Sequence, residues 1–177
     1  FMRKRRSEGL KSRFGAEYDT LAKRTGDEGK AEALLAAREK RVAAFQFTPL
    51  TTDQRNRFVA SWREVQAQFV DDPKGAVTRA DGLLGEVMKA RGYPVADFEQ
   101  RAADLSVDHA EVVQHYRTAH DIAERHERGE AGTEDLRQAM IHFRALFDDL
   151  VNEPEPAHSD PKALKVEKEK VRDEHHH

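Results

Sequence analysis

The sequence predicts an all-α protein, an antiparallel helical bundle preceded by a charged helical hairpin. Three observations carry this. Apolar residues recur at spacings of three and four nearly throughout, and no stretch alternates with the period of a strand. Helix-start and helix-stop residues fall between the apolar runs. The five long runs are joined by short turns, which favours antiparallel neighbours. With 38% hydrophobic and 36% charged residues, each helix buries one narrow stripe and solvates the rest.

Leu10, Phe14, Tyr18 and Leu21 share one stripe, predicting a first helix that stops at Gly26. Ala31, Leu34, Leu35, Val42 and Phe45 mark the second. Phe47-Thr48-Pro49-Leu50 breaks it, because Pro49 has no amide and restricts Thr48. Thr51 and Gln54 have capping-box spacing and Leu50 stands where a staple residue belongs, so the third helix starts there. Phe58, Trp62, Val65 and Phe69 form its bulky stripe. Asp71-Asp72-Pro73 ends it and opens the fourth, with Asp72 as N-cap and Pro73 in the first position.

Val77, Leu83, Leu84, Val87 and Met88 carry the fourth helix, which Gly92 and Tyr93-Pro94 terminate. A short fifth covers Val95 to Asp104, anchored by Phe98. Asp108 and Glu111 have the spacing of a second capping box, with Val107 before it. The sixth helix turns Val112, Val113, Tyr116, Ala119, Ile122 and Ala123 inward. After a turn from Gly129 to Gly132, Thr133 caps a seventh with the stripe Leu136, Met140, Phe143, Phe147 and Leu150. The chain thus divides into a basic start at 1–6, a helical hairpin at 7–46, the main bundle at 50–152 and a polar tail at 153–174. Residues 175–177, three histidines, look like the start of an affinity tag.

Charge is uneven. Residues 1–24 hold eight basic and three acidic side chains, a net +5, whereas 95–157 hold six arginines and fifteen acids, a net −9. A basic edge on an acidic body suits an anionic membrane surface at Arg3, Lys4, Arg5 and Arg6. It disfavours nucleic acid, whose binders spread positive charge over a folded face. The run Phe1-Met2 followed at once by four basic residues has the look of the cytoplasmic flank of a membrane helix. No stretch of this sequence is itself apolar enough to span a bilayer.

Several stretches occur together: Arg6-Ser7-Glu8 with Arg13 to Asp19; Gln68 to Pro73; Gly92-Tyr93-Pro94 with Asp97 to Ser106; His109 with His115-Tyr116-Arg117; and Thr133 to Met140. Over about residues 6–150 the chain resembles a group of uncharacterised bacterial helical proteins. That resemblance implies an N-terminal membrane helix ahead of the Arg-rich start, and no activity.

Zero cysteine excludes a disulfide scaffold, a thiolate zinc site, an iron–sulfur cluster and a Cys nucleophile. Gly82 and Gly85 lack the Lys-Ser/Thr partner of a phosphate loop. Ser61, Ser106 and Ser159 have no nucleophile-elbow context. His109, His115, His120 and His126 fall in one helical stretch at gaps of 6, 5 and 6, whereas two metal-binding imidazoles on one helix face need a gap of three or four. Only Glu155 and His158 have the Glu-x-x-His spacing of di-iron bundles, and they lie among prolines.

A site assembled across helices survives that test: His115 or His120 facing His142, with Glu111 and Glu124 available to orient the imidazoles. Asp97 to His109 is the densest polar connection. There Arg101 can bond carboxylates, and Ser106 or Asp108 can cap the next helix.

The sequence therefore predicts a non-enzymatic, membrane-tethered helical module on the cytoplasmic side of the inner membrane. It engages a protein partner or a second copy and takes no cofactor. The alternative is a bundle binding a small molecule, haem or metal through His115, His120, His142, Tyr116 and Arg101.

Overall fold

The computed structural model describes residues 2–153. The expected polar tail after its first residue, Glu153, lies outside the described residues, and with it Glu155, His158, Ser159 and the three terminal histidines. Among those described there are eight helices and no strand: α1 (Met2–Phe14), α2 (Ala16–Thr25), α3 (Glu28–Ala43), α4 (Thr52–Asp71), α5 (Pro73–Arg91), α6 (Phe98–Asp108), α7 (Ala110–Glu127) and α8 (Thr133–Asn152). None of these helices is long and apolar enough to cross a membrane.

Local chemistry sets most boundaries. The Thr51 hydroxyl accepts from the Gln54 amide at 3.1 Å while the Gln54 side chain accepts from the Thr51 amide at 3.0 Å, a complete capping box. Asp72 accepts from the Gly75 amide, with Pro73 opening α5. Gly92 ends α5 at φ 106, a conformation that excludes a side chain, and the Gln46 carbonyl lies against the place a Cβ would take. That close approach brings the α3–α4 connection over the end of α5, where the Thr48 amide donates to the Arg91 carbonyl at 3.0 Å.

Several boundaries differ from the sequence reading. The first apolar stripe is continuous, yet the helix breaks at Gly15, whose φ of 54 is the left-handed region. Leu10 and Phe14 therefore sit on α1, and Tyr18 and Leu21 on α2, all four buried. Leu34 is not a core residue; it is 48% exposed. Asp97, not a residue near Val95, caps the short helix, which runs on to Asp108. The Asp108–Glu111 capping box does not form: Asp108 belongs to α6, and His109 alone separates α6 from α7 without a side-chain cap. Gly132 precedes α8, and its amide donates to Asp135 at 2.9 Å; Thr133 is the first helical residue rather than the cap.

The main bundle is arranged in space as α4, α5, α8, α7, with α6 against α7. Its core runs from Trp62 and Val65 through Leu84, Val87, Tyr116, Phe143, Leu146 and Leu150. Trp62 stacks on Phe147 with ring centroids 4.8 Å apart. Each fully buried large side chain there contributes roughly 1.5–3 kcal/mol relative to exposure.

The first three helices form a second layer, docked through α3 on α6 and through α2 on α7. Their own apolar cluster is small: Leu10, Phe14, Tyr18, Leu21, Ala31, Leu35 and Val42, joined by Val107 of α6. Phe45 and Phe47 pack against both clusters. Between the layers runs a polar seam centred on Glu17, which is 4% exposed. Arg117 of α7 donates to both Glu17 oxygens at 2.9 Å, Arg38 of α3 donates at 2.9 Å and Gln114 at 2.8 Å. Burial alone would raise the Glu17 carboxyl. The bonds and charge from Arg117, with Gln114 and Arg38, outweigh it and hold the group below its usual range. Further along the seam, Arg41 pairs with buried Asp104 at 3.0 Å, and Arg13 pairs with Glu39 at 2.7 Å while donating to the Val107 carbonyl.

Candidate functional site

The structure divides the five sequence-predicted ligand residues into two groups. Arg101 of α6 and Tyr116 and His120 of α7 come together with a residue the sequence reading missed, Asp81 of α5. The Arg101 guanidinium lies over Gly85, where a Cβ would meet it at 3.1–3.3 Å, and its charge acts on the buried Tyr116 hydroxyl. Burial and the Asp81 charge push Tyr116 up to about 12 against the opposing pull of Arg101. His120 stacks on Phe98 with centroids 3.6 Å apart and contacts Glu124 at 3.1 Å. Burial raises the Asp81 carboxyl against the pull of His120 and Arg101, and one of its oxygens is buried without a hydrogen-bond partner. Asp81, Gly82, Gly85, Tyr93 and Arg101 line a cavity of about 250 Å³ between α5 and the start of α6. It lies away from the contact of α7 with α8, where His115 meets His142.

His115 and His142 form the other group. Their Nδ1 atoms are 2.8 Å apart across the α7–α8 interface, near the surface. Burial, then the His115 charge, lowers His142. Each imidazole is thus engaged by the other rather than by Glu111.

Neither Ser106 nor Asp108 caps α7. The Ser106 hydroxyl donates to the Ala103 carbonyl at 2.6 Å and accepts from Arg38 at 3.1 Å, while Asp108 accepts from Arg13. His109 is not a member of the α7 series. Its side chain is 2% exposed and reaches the end of α8, with Nδ1 bonded to Asp149 and Nε2 3.0 Å from Glu153. Burial lowers His109, but the two carboxylates prevail and raise it to about 9. Sequence spacing missed this grouping because it joins a one-residue helix junction to a distant helix end. The visible part of the signal is the gap of four between Asp149 and Glu153.

Arg3, Lys4, Arg5 and Arg6 occupy the first turns of α1 and are all exposed, whereas Leu10 and Phe14 fasten the other half of that helix to the second layer. Arg3, Lys4 and Arg6 line an open cleft of about 610 Å³ against Glu28 and Glu32 of α3. Comparison with protein-family models, curated proteins and solved structures returns no match.

Proposed function

We propose that the chain is a non-enzymatic helical module tethered at an anionic membrane surface, with its bundle turned toward a protein partner or a second copy. The observation that carries this is the start of α1. Four consecutive exposed cations stand at one end of a helix whose opposite end is anchored in the fold, while residues 95–157 carry a net charge of −9. Lys and Arg near an anionic leaflet each contribute on the order of 1 kcal/mol, screened beyond a Debye length.

Vesicle co-sedimentation tests it. The chain should bind phosphatidylserine-containing vesicles at low salt and leave phosphatidylcholine vesicles in the supernatant. Replacing Arg3, Lys4, Arg5 and Arg6 by Ala should abolish the difference. Equal binding by that variant would remove the basis of the proposal.

The partnerless Asp81 oxygen beside Arg101 favours a second reading, a small polar ligand with an acceptor for Arg101 and a donor for Asp81. Native mass spectrometry reads it directly. Extra mass lost on denaturation and absent from Arg101→Gln supports the ligand. Extra mass that persists in Arg101→Gln, or none at all, speaks against this site.

A further inference from the structure

His109, Asp149 and Glu153 are the strongest metal-ligating group among the described residues. Asp149 and Glu153 lie four residues apart at the end of α8, so their carboxylates leave the same face. One ring nitrogen of His109 and one oxygen from each carboxylate fall within 4.8 Å of one another. The imidazole is almost fully shielded from water. A buried Glu153 oxygen stands 3.0 Å from Nε2 of His109 while Asp149 meets Nδ1, so a carboxylate faces each ring nitrogen. The Tyr93 hydroxyl, on a side chain 4% exposed, lacks a hydrogen-bond partner and lies in the field of Glu153. An open cleft of about 590 Å³ leads from solvent to His109 and Asp149.

Buried polar atoms without partners are rare in folded proteins, and each one asks for a water, an ion or a ligand. Two carboxylates around one buried imidazole hold a cation, either the proton of His109 or a metal ion that displaces it. One nitrogen and two carboxylate oxygens suit a first-row transition ion, whereas Mg²⁺ and Ca²⁺ take oxygen donors. We propose that His109, Asp149 and Glu153 form a site for a divalent transition metal of the zinc class, which pins the end of α8 to the α6–α7 corner. Three protein ligands leave a position open for water, and the unpartnered Tyr93 hydroxyl lies in the field of the same Glu153.

The test uses the full chain, stripped with chelator, dialysed and titrated with ZnCl₂. Bound metal is read by elemental mass spectrometry and stability by thermal melting. Asp149→Asn and Glu153→Gln are the informative variants, because both positions lie at the helix end and tolerate change better than buried His109. The terminal histidines are present in every protein compared, so zinc held there cancels. The wild type should bind one more equivalent than either variant, with affinity for that equivalent lowered at least about tenfold by each substitution. Zinc should raise the melting temperature of the wild type and not that of Glu153→Gln. Equal stoichiometry and affinity in wild type, Asp149→Asn and Glu153→Gln, zero included, overturns the site.

Discussion

The bundle of α4, α5, α7 and α8 and the layer of α1–α3 are equally helical but are held by different forces. The bundle closes over a continuous apolar core with stacked aromatics. The N-terminal layer has a small apolar cluster of its own and meets the rest along arginine–carboxylate pairs around Glu17 and Asp104. Burial in a core is non-directional and insensitive to pH. A buried ion pair gains little net energy against apolar packing, yet removing one partner is costly because the other charge is stranded. Two regions with the same secondary structure should therefore fail differently.

The largest effect belongs to the bundle. Phe143 is 1% exposed, and Phe143→Ala should cost roughly 3–5 kcal/mol. Denaturant unfolding should show this as a lower midpoint for the main transition.

Glu17→Gln comes next. It leaves Arg38 and Arg117 without their shared carboxylate, but those side chains are 18% and 23% exposed, so water takes up part of the charge. A loss of about 2–3 kcal/mol is expected, below the full cost of stranding a buried charge. It should loosen α1–α3 and leave the bundle folded.

Acid should act on the same contact and be gentler still. The folded-state value of Glu17 lies below its unfolded value, so its contribution is complete above about pH 4.3 and fades as pH falls through the folded value. Protection of α2 should then decline in acid more steeply in the wild type than in Glu17→Gln, which has no such proton to gain.

What was legible in the sequence was the chemistry of neighbours along the chain. Thr51 with Gln54, Asp72 with Pro73, and Gly92 each declare a helix end because their partners lie within four residues. Asp108 and Glu111 carry the same spacing but form no cap, because Arg13 from α1 engages Asp108 and α6 continues through it. The break at Gly15 was masked by apolar residues that keep helical spacing across it.

Glu17 was readable in part. It falls at helical spacing with Phe14, Tyr18 and Leu21, a carboxylate on a buried stripe, and such a group needs buried cations. Which cations, Arg38 and Arg117, only the packing of α3 and α7 decides. The same holds for Asp81 beside Arg101 and for His109 against α8: each site joins helices whose order in space is not written in local spacing.

Native-state hydrogen exchange on the wild type and Glu17→Gln at neutral pH tests most directly whether the polar seam is what holds the N-terminal layer. The substitution should cut the protection of α2 and α3 amides by at least about tenfold, the equivalent of 1.4 kcal/mol, while core amides of α5 and α8 keep theirs. Unchanged protection in α2 and α3, or an equal fall throughout the molecule, would contradict a separately held layer.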